Sequence, residues 1–232
     1  MSESRQLLLD FGAPAEGRFE DFWSGDNVQL LARLQSLAQS ALPAFVLAWA
    51  ENGAGKSHLA HALCEAFAQH QRSAILVDGQ QRAHLHPAML EGLSEVELVV
   101  IDDIDQFAGD ADWEEALFHL YNQMLTSGAS LFVTLHSPPM QSAFKLADLK
   151  SRLCACETYR LHALSQQEKL AWMQQLAHRR GFDLEAEWCD YILNRSARDL
   201  PSLTRVINAL DAASLSAKRA ITLPFIKQVM GW

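Results

Sequence analysis

Short apolar runs alternate along this chain with longer stretches in which apolar side chains recur every three or four positions. The runs at 45–49, 74–77, 98–101 and 131–135 are brief and bounded by polar residues or glycine, which predicts strands, and Thr158–Leu161 is expected to be a last strand. Between them, helical spacing predicts helices over about 26–40 (with Asp26 as its cap), 57–69, 87–93, 113–125 and 146–153. In 57–69, for example, Leu59, Leu63, Ala66 and Phe67 fall on one face. Strands alternating with helices predict a parallel sheet with helices on both faces. After Ser165 the strand signals stop, and four helical segments follow, at 166–179, 185–195, 199–217 and 223–230. Ser165 and Glu168 have the spacing of a capping box at that boundary. The expected organisation is an N-terminal tail over 1–18, an α/β base over 19–164 and a small helical subdomain over 165–232.

Composition narrows the class. The 232 residues are 49% hydrophobic and 20% charged, enough apolar material for a buried core in one large or two small domains. A net charge of −9 argues against a protein whose main task is gripping DNA phosphates, which needs an excess of Lys and Arg. The four cysteines, Cys64, Cys154, Cys156 and Cys189, lack zinc-type spacing and read as reduced thiols. No apolar stretch reaches the length of a membrane span, and the N-terminus lacks a signal-peptide pattern, so a cytoplasmic location is expected.

The candidate chemistry lies at the ends of the predicted strands. Gly53-Ala54-Gly55-Lys56-Ser57 joins a strand to a helix. Small residues there let backbone N–H groups curl around an anion at the positive end of a helix. Lys56 is placed to reach β- and γ-phosphates, and Ser57 to hold Mg²⁺. The full phosphate-loop pattern has glycine where this chain has Ala50. Further on, the apolar strand Val99-Val100-Ile101 ends in Asp102-Asp103. Asp102 is expected to orient Mg²⁺ through water, and Asp103 to position the attacking water.

These motifs carry a family resemblance. Val99-Val100-Ile101-Asp102-Asp103-Ile104-Asp105-Gln106-Phe107 resembles the acidic motif of the bacterial replication initiator DnaA and its relatives, in the AAA+ class of P-loop NTPases. Phe19-Glu20-Asp21-Phe22-Trp23-Ser24-Gly25-Asp26-Asn27 is similar to the segment that lies against the adenine in that family. Thr134-Leu135-His136-Ser137-Pro138-Pro139 resembles its sensor 1 turn, with His136 as the best match. Leu149-Lys150-Ser151-Arg152-Leu153 resembles its arginine-finger motif, and Ser196-Ala197-Arg198-Asp199-Leu200 its sensor 2 helix. Gln6-Leu7-Leu8-Leu9-Asp10-Phe11 is similar to the peptide that docks on the DNA polymerase III sliding clamp (beta). Gln6 would enter a polar pocket, Leu9 and Phe11 would fill an apolar cleft, and Leu7 belongs to the same clamp-binding set. A DnaA-like core beside such a peptide resembles the Hda family of DnaA-homologous regulators.

The resemblance implies an AAA+ base and a helical lid. It implies a bound ADP or ATP with Mg²⁺, held by Phe22, Trp23, Gly53, Ala54, Gly55, Lys56, Ser57, His58, Asp102, His136 and Arg198. Ser57 and Asp102 would serve the metal. It also implies a regulatory role. Docked on a DNA-loaded clamp, such a protein makes DnaA hydrolyse its ATP and so prevents re-initiation. Arg152 would be the finger supplied in trans, a device that accelerates hydrolysis about 10³–10⁵-fold. Asp103 completes the expected catalytic pair. DNA would be reached only through the clamp, and a homodimer or higher oligomer that buries the Leu7–Phe11 island is a further expectation. Ala50 and His136 lower the expected rate of the protein's own ATP turnover. A self-sufficient ATPase and a clamp-docking adaptor without effect on hydrolysis stay open as alternatives.

Overall fold

The computed structural model describes residues 17–40, 42–217 and 220–232. The clamp-type residues Gln6, Leu7, Leu9 and Phe11 lie outside them. The chain divides into two compact units, the first ending at His162 and the second beginning at Ala163.

The first unit is a five-stranded parallel sheet. Its elements in chain order are α1 (Val28–Gln39), β1 (Phe45–Trp49), α2 (Lys56–Gln69), β2 (Ala74–Asp78), β3 (Leu98–Asp102), α3 (Ala111–Ser127), β4 (Ser130–Leu135), α4 (Ala147–Cys154) and β5 (Glu157–Arg160). The spatial order is β2-β3-β4-β1-β5. Every residue of β3 and β4 is buried, as continuous apolar strands covered on both faces must be. The edge strand β5 is polar and largely exposed, and its Glu157 takes both Nε and Nη2 of Arg33 on α1, at 2.6 and 2.7 Å.

Strand alternation builds two cores. Val46, Ala48, Val100 and Phe132 pack with Leu34 of α1 and Leu59, Leu63 and Phe67 of α2. Their neighbours Leu47, Val99, Ile101, Leu131 and Val133 point to the other face, against Trp113, Leu117 and Tyr121 of α3 and Leu149 and Leu153 of α4. Trp113 and Tyr121 are therefore core aromatics.

Local chemistry shifts some predicted boundaries. Asp26 is not a helix cap: it lies in a 3₁₀ turn, Gly25–Asn27, ahead of α1. The residue at the cap position, Asn27, spends its amide elsewhere, donating to the His162 carbonyl at 2.9 Å and accepting from the His162 amide at 2.7 Å. The helix predicted over 113–125 starts earlier because Asp110 accepts from the amides of Asp112 and Trp113. The segment predicted as a helix over 87–93 is a 3₁₀ turn, Pro87–Leu90, and a second turn, Leu93–Glu95, follows the left-handed Gly92.

The second unit holds α5 (Gln166–Arg179), α6 (Ala186–Arg195), α7 (Leu200–Ala217) and α8 (Leu223–Met230). Its first helix opens on the capping box: the Ser165 amide donates to Glu168 at 2.8 Å, and the Glu168 amide donates back to Ser165 Oγ. Among the described residues no helix is long and apolar enough to cross a membrane.

Candidate functional site

The site gathers at the carboxyl ends of β1, β3 and β4, where open parallel sheets bind ligands. The loop after β1 turns on Gly53 and Gly55, both left-handed, with φ of 79° and 103°. Only glycine enters that region without strain. Gly55 caps α2, so the loop delivers its amides to a helix N-terminus. Ala54 is buried beneath it. Ala50 has an ordinary backbone, its amide bonding to the Leu135 carbonyl at 3.0 Å, so the absent glycine costs this loop no special conformation.

Lys56 is buried, and its Nζ donates to the Ala50 carbonyl at 2.9 Å. It stands 3.6 Å from Asp103 Oδ1. The Ser57 hydroxyl bonds to Asp102, which also takes Thr134 Oγ1 at 2.5 Å. Burial pushes the Asp102 carboxyl above its usual range; bonds from Ser57 and Thr134 oppose that, and the nearby Asp103 and Asp78 add to it. A divalent cation would relieve both burial and repulsion. Thr134 also accepts from the Asp103 amide at 2.8 Å, so one hydroxyl ties the two acidic residues to β4.

Asp103 sits in the left-handed region, at φ 49°. Its Oδ2 takes Gln80 Nε2 at 2.9 Å, while Oδ1 is buried without a hydrogen bond. The turn leaves no room beside it: a Cβ on Gly79 would stand 2.3 Å from the Asp103 carbonyl oxygen. His136 reaches this group from the end of β4. Its Nδ1 pairs with Asp105 Oδ2 at 2.7 Å, its Nε2 lies 2.5 Å from Asn52 Oδ1, and Nε2 stands 3.8 Å from Asp103 Oδ1.

The segment before α1 closes one side. The Phe22 ring lies over Gly55, 3.0 Å from where its Cβ would be, and its centroid is 5.7 Å from that of His58. His58 Nε2–H donates to the Arg18 carbonyl at 2.9 Å, and burial lowers the imidazole's pKa, favouring the neutral ring. Trp23 is half-buried just beyond.

Left-handed glycines, a buried lysine and a hydroxyl against a buried carboxylate fit nucleotide phosphates with Mg²⁺. Two predicted residues belong to other elements. Arg152 is exposed in the last turn of α4, its guanidinium 5.8 Å from the centre of the Tyr121 ring. Among the described residues no carboxylate lies within salt-bridge reach of it. Arg198 belongs to the second unit, where its Nη2 bonds to Asn194 Oδ1 at 3.4 Å. Thr134, Gln80, Asp105 and Asn52 escaped sequence reasoning as site residues. For Thr134 a signal existed, a lone hydroxyl inside an apolar strand; for the others none did.

Comparisons with known proteins agree with this geometry. Residues 15–158 match the model of the bacterial DnaA ATPase domain, and residues 166–230 match that of the Hda lid domain. The fold is similar to domain III of the Thermotoga maritima replication initiation protein DnaA, with 18% identity, a TM-score of 0.75, and coverage of 94% of this chain and 96% of that one. The AMPPCP-bound DnaA from Aquifex aeolicus is similar at 19% identity and a TM-score of 0.69, covering 86% of this chain and 66% of that one. The Thermotoga maritima RuvB Holliday junction branch migration motor shares the fold at 16% identity and a TM-score of 0.65, covering 90% of this chain and 69% of that one.

Proposed function

The chain belongs to the bacterial DnaA ATPase domain family, as an AAA+ protein of the Hda and DnaA type, and we propose that it acts as a regulator that makes DnaA hydrolyse its bound ATP. The observation that carries this reading is Arg152, an exposed guanidinium on a short helix with no carboxylate partner among the described residues. A cation kept free of an intramolecular ion pair is available to another molecule. Pointed at the γ-phosphate of an ATP held by DnaA, it neutralises charge that develops in the transition state.

The protein's own nucleotide, ADP in preference to ATP, is then mainly structural. Lys56 and the loop amides hold its phosphates, Ser57 and Asp102 serve Mg²⁺, and Phe22, Trp23 and His58 lie on the base side. Arg198 is assigned to the phosphates by its sensor 2 motif alone. When bound, Mg²⁺ supplies charge neutralisation at the phosphates. Gln6, Leu7, Leu9 and Phe11 dock on the sliding clamp and bring the protein to DNA without direct DNA contact.

The test mixes the purified protein, ATP-loaded DnaA and clamp loaded on DNA, and follows conversion of the bound ATP to ADP. Conversion that requires both this protein and the clamp supports the reading. Conversion at the rate of DnaA alone refutes it. A second reading, an ATPase active by itself, is favoured by one observation: Asp103 Oδ1 is free of hydrogen bonds beside Lys56. Multiple turnover without DnaA would select it.

A further inference from the structure

Asp103, Asp105 and His136 each place one donor atom so that the three lie within 4.8 Å of one another. A second observation concerns the deepest of them. Asp103 is 5% exposed, and its Oδ1 has no hydrogen-bond partner. Lys56 Nζ, at 3.6 Å, is beyond hydrogen-bond reach and already donates to the Ala50 carbonyl. The other oxygen is committed to Gln80. The free oxygen faces His136 Nε2 across 3.8 Å.

We propose that Asp103 Oδ1 and His136 Nε2 are ligands for a first-row transition-metal ion of the zinc class, with Asp105 orienting the imidazole. Bonds of about 2.0–2.2 Å to one tetrahedral ion leave two ligand atoms roughly 3.3–3.5 Å apart, so closure by a few tenths of an ångström suffices. Asp105 Oδ2, 2.7 Å from His136 Nδ1, holds a proton on that nitrogen, so Nε2 offers its lone pair to a metal once the Asn52 side chain, 2.5 Å from Nε2, turns aside. This carboxylate–imidazole–metal order is the usual outer support of a histidine ligand. Water completes the shell. One imidazole nitrogen with carboxylate and water oxygens suits Zn²⁺, Co²⁺ or Mn²⁺; Mg²⁺ prefers oxygen alone. The site adjoins Ser57 and Asp102, where the nucleotide's Mg²⁺ belongs, and uses neither residue. Metal binding here does not depend on the proposed regulation of DnaA.

The experiment titrates Zn²⁺, and then Co²⁺, into the nucleotide-free full-length protein, by calorimetry and by visible absorption. One ion per chain is expected, with a Co²⁺ spectrum free of thiolate charge transfer. His136→Ala, His136→Gln and Asp103→Asn abolish it, and Asp105→Asn weakens it about 10–100-fold. Circular dichroism checks that each variant is folded. His136 is partly exposed, so its variants decide the matter if Asp103→Asn does not fold. No ion on the folded wild type, unchanged affinity in the His136 variants, or a thiolate spectrum that places the ion on cysteines would each overturn the proposal.

Discussion

The Glu114 carboxylate on α3 accepts the backbone amide of Leu146 at 2.6 Å, which ties the residue before α4 to the body of the first unit. The same carboxylate takes the amides of Gly109 at 2.6 Å and of Lys145 at 2.9 Å. Since α4 carries Arg152, Glu114 sets where the exposed guanidinium stands. Removing a buried acceptor orphans its donors, at about 1–3 kcal/mol. Glu114→Ala is expected to lose at least that much in urea unfolding and to lower stimulation of DnaA together with stability.

The same residue predicts an acid limit. Burial pushes the Glu114 carboxyl up, but the amides of Leu146, Gly109 and Lys145 outweigh it and hold it below the usual carboxylate range. A depressed carboxyl stabilises the fold at pH above the unfolded-state value, and that contribution fades as pH falls through the folded value. The stability gap between wild type and Glu114→Gln should therefore be widest near neutral pH and narrow below about pH 4.5. Unfolding midpoints measured across that range give the check.

Gly79 is tested by one methyl group. Its Cβ would meet the Asp103 carbonyl oxygen at 2.3 Å and that of Asp102 at 2.9 Å, both backbone atoms that cannot turn aside. Gly79→Ala should cost about 1–3 kcal/mol by overpacking and weaken nucleotide binding, because the strained acidic turn must move. Thermal melts with and without ADP separate the two effects.

Nucleotide affinity tests the loop. Lys56 is the buried cation of the site, and charge-assisted hydrogen bonds contribute about 1.5–3 kcal/mol, so Lys56→Ala should weaken ADP binding roughly 10–100-fold. Phe22→Ala removes an aromatic face from the base side, and stacking on a base is worth about 1–3 kcal/mol, so a loss of five- to a hundredfold is expected. Fluorescence titration with a labelled ADP measures both.

Much of this arrangement is legible in the sequence because its signals are local. Four of the strands and most of the helices that cover them follow from apolar spacing, and the phosphate loop follows from glycines whose left-handed turns nothing else tolerates well. Gln80, Asp105 and Asn52 were not legible as site residues, and Thr134 showed only as a lone hydroxyl in an apolar strand. Each acts through a partner more than twenty residues away, and only the order of the parallel sheet brings them together. Asp26 misled for the same reason: the cap position went to Asn27, whose amide serves His162 across the fold.

Arg152 gives the most direct test. In single-turnover hydrolysis of DnaA-bound ATP, with DNA-loaded clamp present, Arg152→Ala is compared with wild type after both are shown to be folded and ADP-bound. Loss of most of the stimulation is expected, on the scale of about 10³–10⁵ that a trans arginine supplies at full effect. Stimulation by Arg152→Ala equal to that of wild type would contradict it.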